Sequence, residues 1–218
     1  MNSQRDDQRV QLDHGSGGRA SQRLIQEIFL RHLGNRTLNS LEDAAIFQAE
    51  GKLAMSTDTF TVDPLFFPGG DIGSLAVHGT GNDVAMRGAR PLYLSCGFIM
   101  EEGLPMATLE AVVASMGRAL DNGGCRIVTG DTKVVPRGGV DKLFINTTGV
   151  GQVLVDHPPG GSRAEVGDAI LISGSVGQHG LAVLTAREKM HFASPVHSDS
   201  AMLHPLILQL LEAVPEVH

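Results

Sequence analysis

The chain has 218 residues, a formal charge of −7, 42% apolar side chains and 19% charged ones. That balance describes a globular chain with a buried core and excludes a disordered chain. Without a basic stripe, with no Trp and a single Tyr, it offers nucleic acid neither countercharge nor stacking platforms. Cys96 and Cys125 are the two cysteines, and without a CxxC pair they support neither a disulfide framework nor a structural zinc, so a reducing cytoplasm is the expected compartment. No apolar run approaches the ~18 residues of a membrane span, and the opening MNSQRDDQRV is too polar for an export signal. The 27 glycines exceed the usual ~7% and cluster in short groups, which predicts backbone packed closely against a neighbour.

After the polar arm, HGSGG (His14 to Gly18) leads into RASQRLIQEIFLRHL, where Ala20, Leu24, Ile25, Ile28 and Leu33 share one helical face and Gly34-Asn35 ends the helix. AAIFQ and KLAMST flank Ala49-Glu50-Gly51 and read as two strands of a hairpin. FFPGGD breaks the pattern, and Asp71 is placed to cap a helix running to about Gly88. Pro91 opens a strand, PLYLSCGFIM. Pro105 sits early in a helix whose stripe of Leu109, Val112, Val113, Met116 and Leu120 stops at Asn122-Gly123-Gly124. CRIVTGD and KLFINTTGVGQVLV read as strands. This order predicts an α+β fold, a mixed sheet with helices over residues 1–155. DHPPGGSRAEVGD reads as a linker, and residues 168–218 as the start of a second, α/β lobe: AILIS a buried strand, LAVLTAREKM a helix, and a second helix opening near Asp199.

Asp58 (STDT), Asp83 (GNDV) and Asp131 (TGDT) share one local grammar, a carboxylate among Ser, Thr, Asn or Gly beside an apolar segment. Hard cations such as Mg²⁺ take oxygen ligands of this kind together with substrate phosphates. Asp43 is a fourth candidate. Lys133 lies on the same side of an extended chain as Asp131 and suits a phosphate or a reacting oxygen. Gly15, Ser16, Gly17 and Gly18 offer flexible amides before a helix, an arrangement that favours anions. The bland alternative is that each of these residues merely caps a helix or closes a turn. GSGGRA matches GxGxxA, but without a preceding strand or a strand-ending acid a dinucleotide fold is disfavoured. There is no Walker motif, no HExxH and no GxSxG. His14 and His179 adjoin glycine loops, the remaining histidines read as surface or cap residues, and both cysteines read as core.

The strings HGSGG, STDTFTVDPLFFPGGDIG, GTGNDVAMRGARPLYLSCGFIMEEG and IVTGDTKVVPRGGVDKLFINTTGVG, continued by GDAILISGSVGQHG, resemble the HypE family of hydrogenase maturation factors over nearly the whole chain. The resemblance implies an AIR synthetase-like (PurM-like) lobe that pairs with a twin in a homodimer through a shared barrel. It also implies Mg²⁺ and ATP near the interface, with Asp43, Asp58, Asp83 and Asp131 on the metal side. Gly15 to Gly18, Asn82, Asp58, Asp83 and Asp131 would hold the nucleotide, and Lys133 would assist the chemistry. In that family a C-terminal cysteine is carbamoylated by HypF and dehydrated to a thiocyanate, the source of hydrogenase cyanide, with a HypC–HypD complex as acceptor. The sequence ends at EAVPEVH without such a cysteine, and Gln178 stands where relatives usually carry Asp. The expectation is therefore a chain that folds its first lobe, dimerises and binds nucleotide without turning over its own tail; the alternative is a non-catalytic dimerising module.

Overall fold

The computed structural model describes residues 9–190 and 196–217. Its centre is a mixed four-stranded sheet, in the order β1 (Leu53–Phe60), β6 (Leu143–Val153), β4 (Ala89–Glu101), β5 (Arg126–Val135). β6 runs antiparallel to both β1 and β4, while β4 and β5 are parallel. A parallel pair needs a crossover, and α4 (Met106–Gly123) supplies it; Gly124, in the left-handed region at φ 62°, ends that helix as the glycine run predicts. β2 (Phe66–Phe67) and β3 (Gly70–Asp71) form a small separate hairpin out of FFPGGD. It leads directly into α3 (Ile72–Ala85), which Asp71 caps by accepting from the Gly73 and Ser74 amides.

The helical run after the glycine turn is α1 (Arg19–Leu24), a π turn at Ile25–Phe29 and α2 (Leu30–Leu33). It packs with α3 and α4 on one sheet face. The fully buried Ile72, Leu94, Met100, Leu109, Met116 and Ile145 form the heart of that core, and the Phe29 and Phe98 rings meet at 4.8 Å. α3 lies so close to β6 that a Cβ at Gly151 would fall 2.4 Å from Val84. The opposite face is largely open: Leu53 and Met55 on β1 and Ile99 on β4 are exposed, Met55 to 73%.

Three expected elements differ. The hairpin before β1 does not form; residues 44–48 are irregular and Ile46 is 92% exposed. Phe47 stacks on Tyr93 of β4 at 4.7 Å, which draws the segment across the open sheet face instead of along the β1 edge. AILIS is no buried strand: residues 168–173 are irregular with Ile170, Leu171 and Ile172 exposed, and among the described residues no strand pairs with them. α5 (Gln178–Arg187) forms from the expected segment but opens and ends three residues before the 181–190 span read from sequence, while α6 (His204–Ala213) begins later than Asp199, with Pro205 in its first turn. Residues 198–203 are instead held against α3 by hydrogen bonds. Among the described residues no helix is long and apolar enough to cross a membrane.

Candidate functional site

The expected site residues fall into two groups, one at each bare edge of the sheet. On β1 the side-chain alternation points Ser56, Asp58 and Phe60 towards the helices; Asp58 stands opposite the buried Thr147 of β6. Its carboxylate faces α3, where a Cβ at Gly79 would come 3.9 Å from Oδ2, and its Oδ1 accepts from the Thr59 amide at 2.8 Å. Asp83 leaves the exposed side of α3 nearby, and Ser56 Oγ donates to its Oδ2 at 2.9 Å. Beneath them a buried hydroxyl chain, Thr80 to Thr147 at 2.6 Å and Thr147 Oγ1 to the Ala76 carbonyl at 3.0 Å, joins α3 to the sheet. Two carboxylates and a hydroxyl in one exposed notch form an oxygen-rich donor set suited to a hard cation.

The second group gathers on β5, the opposite edge. Asp131 and Lys133 are paired in register with Gly97 and Ile99, so both lie on the open face, away from the core residues Phe98 and Met100. Asp131 Oδ1 accepts from the Thr132 amide at 2.8 Å. The glycine segment lies against the same strand: Leu12–Gly15 forms a tight 3-10 turn, and a Cβ at Gly15 would fall 2.6 Å from the Val134 nitrogen. Ser16 Oγ donates to the Asp13 carbonyl and the Gly17 amide to Ser21 Oγ, at 2.8 and 2.9 Å. Gly18 then caps α1. Asp43 is exposed and follows the Leu38–Ser40 turn, whose neighbour Leu41 joins Phe29, Phe98, Asp131 and Thr132 around an apolar cleft of about 130 Å³.

The structure thus unites Asp58 with Asp83, and the glycine turn with the strand of Asp131 and Lys133, but does not unite the groups. Strands lie ~4.8 Å apart, so β6 and β4 between β1 and β5 impose a gap of roughly 14 Å; Asp58 and Asp131 also occupy opposite faces. Among the described residues no three His, Cys, Asp or Glu side chains converge on one metal position. Asn82, read from sequence beside Asp83, has its amide engaged elsewhere: Nδ2 donates to the Ala201 carbonyl and Oδ1 accepts from the Leu203 amide, both at 2.8 Å. His14 Nδ1 accepts from the Gln11 amide, and His179 bonds Ser198 Oγ and packs edge-on to Phe67. Cys96 and Cys125 are core residues, and burial pushes the Cys125 thiol up to about 11 and Cys96 higher still. Sequence reading passed over Asn146, whose amide donates to the Asp58 carbonyl and to Thr59 Oγ1 at 3.0 and 2.9 Å; its only signal was a polar residue inside an apolar strand.

Comparison with known proteins bears on this geometry. Residues 41–153 match the N-terminal domain of AIR synthase related proteins. Carbamoyl dehydratase HypE of Azotobacter vinelandii is 53% identical over 213 residues, covering 95% of this chain and 61% of that protein. The chain therefore spans about three fifths of the relative's length. A crystal structure of hydrogenase maturation protein HypE in complex with ATP is 64% identical, with a TM-score of 0.90, over 92% of this chain and 60% of that one. A HypE–HypF complex contains a chain 48% identical with a TM-score of 0.73, over 87% of this chain and 62% of that one.

Proposed function

Since the chain belongs to the AIR synthase related family, where it is similar to the HypE carbamoyl dehydratases, we propose that it is the nucleotide-binding lobe of an ATP-dependent carbamoyl dehydratase in hydrogenase maturation. The observation that carries this reading is the likeness, at 64% identity and a TM-score of 0.90, to a HypE chain in complex with ATP. The two half-sites agree with it. Asp58 and Asp83 on one edge, and Asp131 with Asp43 near the other, have the donor chemistry for Mg²⁺, which would neutralise phosphate charge. Gly15 to Gly18 lie beside β5, where their backbone would close over phosphates.

Two half-sites on opposite edges call for a second copy. The open sheet face, with Met55, Leu53 and Ile99 exposed, is the apolar surface such a copy would cover, and a homodimer would set the β1 group of one protomer near the β5 group of its partner. Within that site the substrate is a thiocarboxamide. Its amide oxygen takes the γ-phosphoryl group and ADP leaves. Nitrogen then gives up two protons as the nitrile forms, and oxygen departs with inorganic phosphate. Amide oxygen is a poor leaving group until phosphorylated, so positive charge near it lowers the barrier; Lys133 is the residue to supply that charge or to relay a proton. Cys96 and Cys125, buried in the core, do not serve as the carbamoylated thiol. The partner proposed for carbamoyl delivery is HypF, with a HypC–HypD complex as acceptor of the product.

Calorimetric titration with Mg-ATP tests the reading. Saturable heat is expected from the wild-type chain and its loss from the Asp83→Ala, Asp131→Ala double variant. No heat from wild type, or equal heat from both proteins, overturns it and favours a dimerising module without chemistry.

A further inference from the structure

Residues 198–203 have no regular secondary structure, yet four of the six positions, 198, 200, 201 and 203, are fastened by hydrogen bonds. The Ser198 amide donates to the Pro68 carbonyl at 2.8 Å, and its hydroxyl bonds His179 and accepts from the Ser200 amide. Ser200 Oγ meets His78 Nδ1 at 3.0 Å. Asn82 then grips the strap as a strand would, giving a hydrogen to the Ala201 carbonyl and taking one from the Leu203 amide. Between these anchors Met202 fills a groove that exists because two residues lack side chains: a Cβ at Gly81 or Gly123 would lie 3.0 or 2.7 Å from its side chain.

His78 and Asn82 are four residues apart and so share one face of α3, while Gly79 and Asp83 present the neighbouring face to Phe60, Asp58 and Ser56. The helix between them is intrinsically weak. Gly73, Gly79 and Gly81 fall inside its fourteen residues, and an interior glycine disfavours helix relative to alanine. Its last turns therefore depend on what holds them from outside: the Thr80–Thr147 bond and the close approach of Val84 to β6 on the sheet side, and the strap on the other.

We propose that residues 198–203 are a latch: by clamping Asn82, the segment that joins the second-lobe helices α5 and α6 fixes the end of α3 and so positions Asp83 for the magnesium nucleotide. Asn82 is on this reading a positioning residue. The proposal rests on the assignment of Asp83 to the nucleotide site, and it deepens that assignment, because linkage is reciprocal: whatever docks the strap raises nucleotide affinity, and nucleotide tightens the strap.

The experiment measures Mg-ATP affinity for wild type, Asn82→Ala, Asp83→Ala and the double variant, and amide exchange at Leu203 in the wild-type chain with and without Mg-ATP. The latch predicts that Asn82→Ala weakens binding about tenfold, the worth of a pair of ordinary hydrogen bonds. In the Asp83→Ala background the same change adds less than about twofold, because both act through one group. It also predicts that nucleotide slows Leu203 exchange by about tenfold, a readout independent of how the variants fold. If Asp83→Ala binds as wild type, the site assignment fails and the latch with it. If Asp83→Ala weakens binding while Asn82→Ala does not, or the two effects add in full, or Leu203 exchange ignores nucleotide, the latch alone fails.

Discussion

Asp71 is the junction on which the position of α3 depends, and Asp71→Ala is the perturbation that exposes it. Its Oδ1 accepts from the Gly73 and Ser74 amides at 2.7 and 3.2 Å, the Ser74 hydroxyl lies 3.1 Å from the Asp71 amide, and Oδ2 accepts from Ser115 Oγ of α4 at 2.5 Å. Alanine removes the cap, worth about 1 kcal/mol. It also strands the Ser115 hydroxyl, which is only 6% exposed, at a further cost of about 1–3 kcal/mol for a buried group left without a partner. The expected loss is therefore about 3 kcal/mol, large for a single substitution. Asp71→Asn is the control, because asparagine caps as well as aspartate and its amide can still donate to Ser115; it should cost less than about 1 kcal/mol. With no Trp in the chain, urea unfolding followed by far-ultraviolet circular dichroism is the appropriate assay. The reasoning is refuted if Asp71→Ala shifts stability by less than about 0.5 kcal/mol, the level of a neutral surface change, or if asparagine costs as much as alanine.

Two further outcomes are expected. Burial lowers the His78 pKa below its ordinary 6.5, more than the nearby Asp71 carboxylate raises it; the folded chain then takes up this proton later than the unfolded one as pH falls. The contribution to stability is therefore complete above about 6.5 and is lost on acidification through the lower, folded value. His78→Gln should flatten that part of the stability profile, while His204→Gln, which removes a second histidine lowered by burial and by Arg90, serves as comparison; an unchanged profile in His78→Gln contradicts the assignment. Met55→Glu places a charge on the open sheet face at a position 73% exposed in the single chain, so monomer stability should change little. Sedimentation should show a dimer for wild type and a monomer for the variant, and a variant that still dimerises rules out this face as the interface.

Local chemistry made most elements legible. The Asp71 cap, the glycine stop at Gly124 and the apolar stripe of α4 are each set within a few residues, and each is found where it was read. Residues 44–48 were misread because alternation alone does not say whether a strand has a partner, and the Phe47–Tyr93 contact that decides their path spans 46 positions of sequence. AILIS failed for the same reason. A buried strand is a statement about its neighbours, and none is supplied among the described residues. In the site, the grammar of STD, GND and TGD singles out three carboxylates without revealing that the sheet order separates them. Asn82 shows the other side of this limit: beside Asp83 it reads as a ligand, and only the fold reveals that residues 201 and 203 claim its amide.

The sheet order itself explains why the site is divided. A chain that runs β1, then β4, β5 and β6, and returns β6 between β1 and β4, sends its first and third long strands to the two outer edges. Edge strands are where backbone and side chains remain free to meet another molecule, and also where unpaired strands invite association. Carboxylates placed there on opposite faces avoid one another in the single chain, which spares each lobe the repulsion of several clustered negative charges in the absence of cation. On the proposed reading they would become a common ligand set only when another edge arrives with the complementary half. Division of the site between copies would thereby make nucleotide affinity depend on assembly, so titrations below and above the dimer dissociation constant should give different Mg-ATP affinities. Affinity independent of protein concentration would place the complete site within one chain and refute its division between copies.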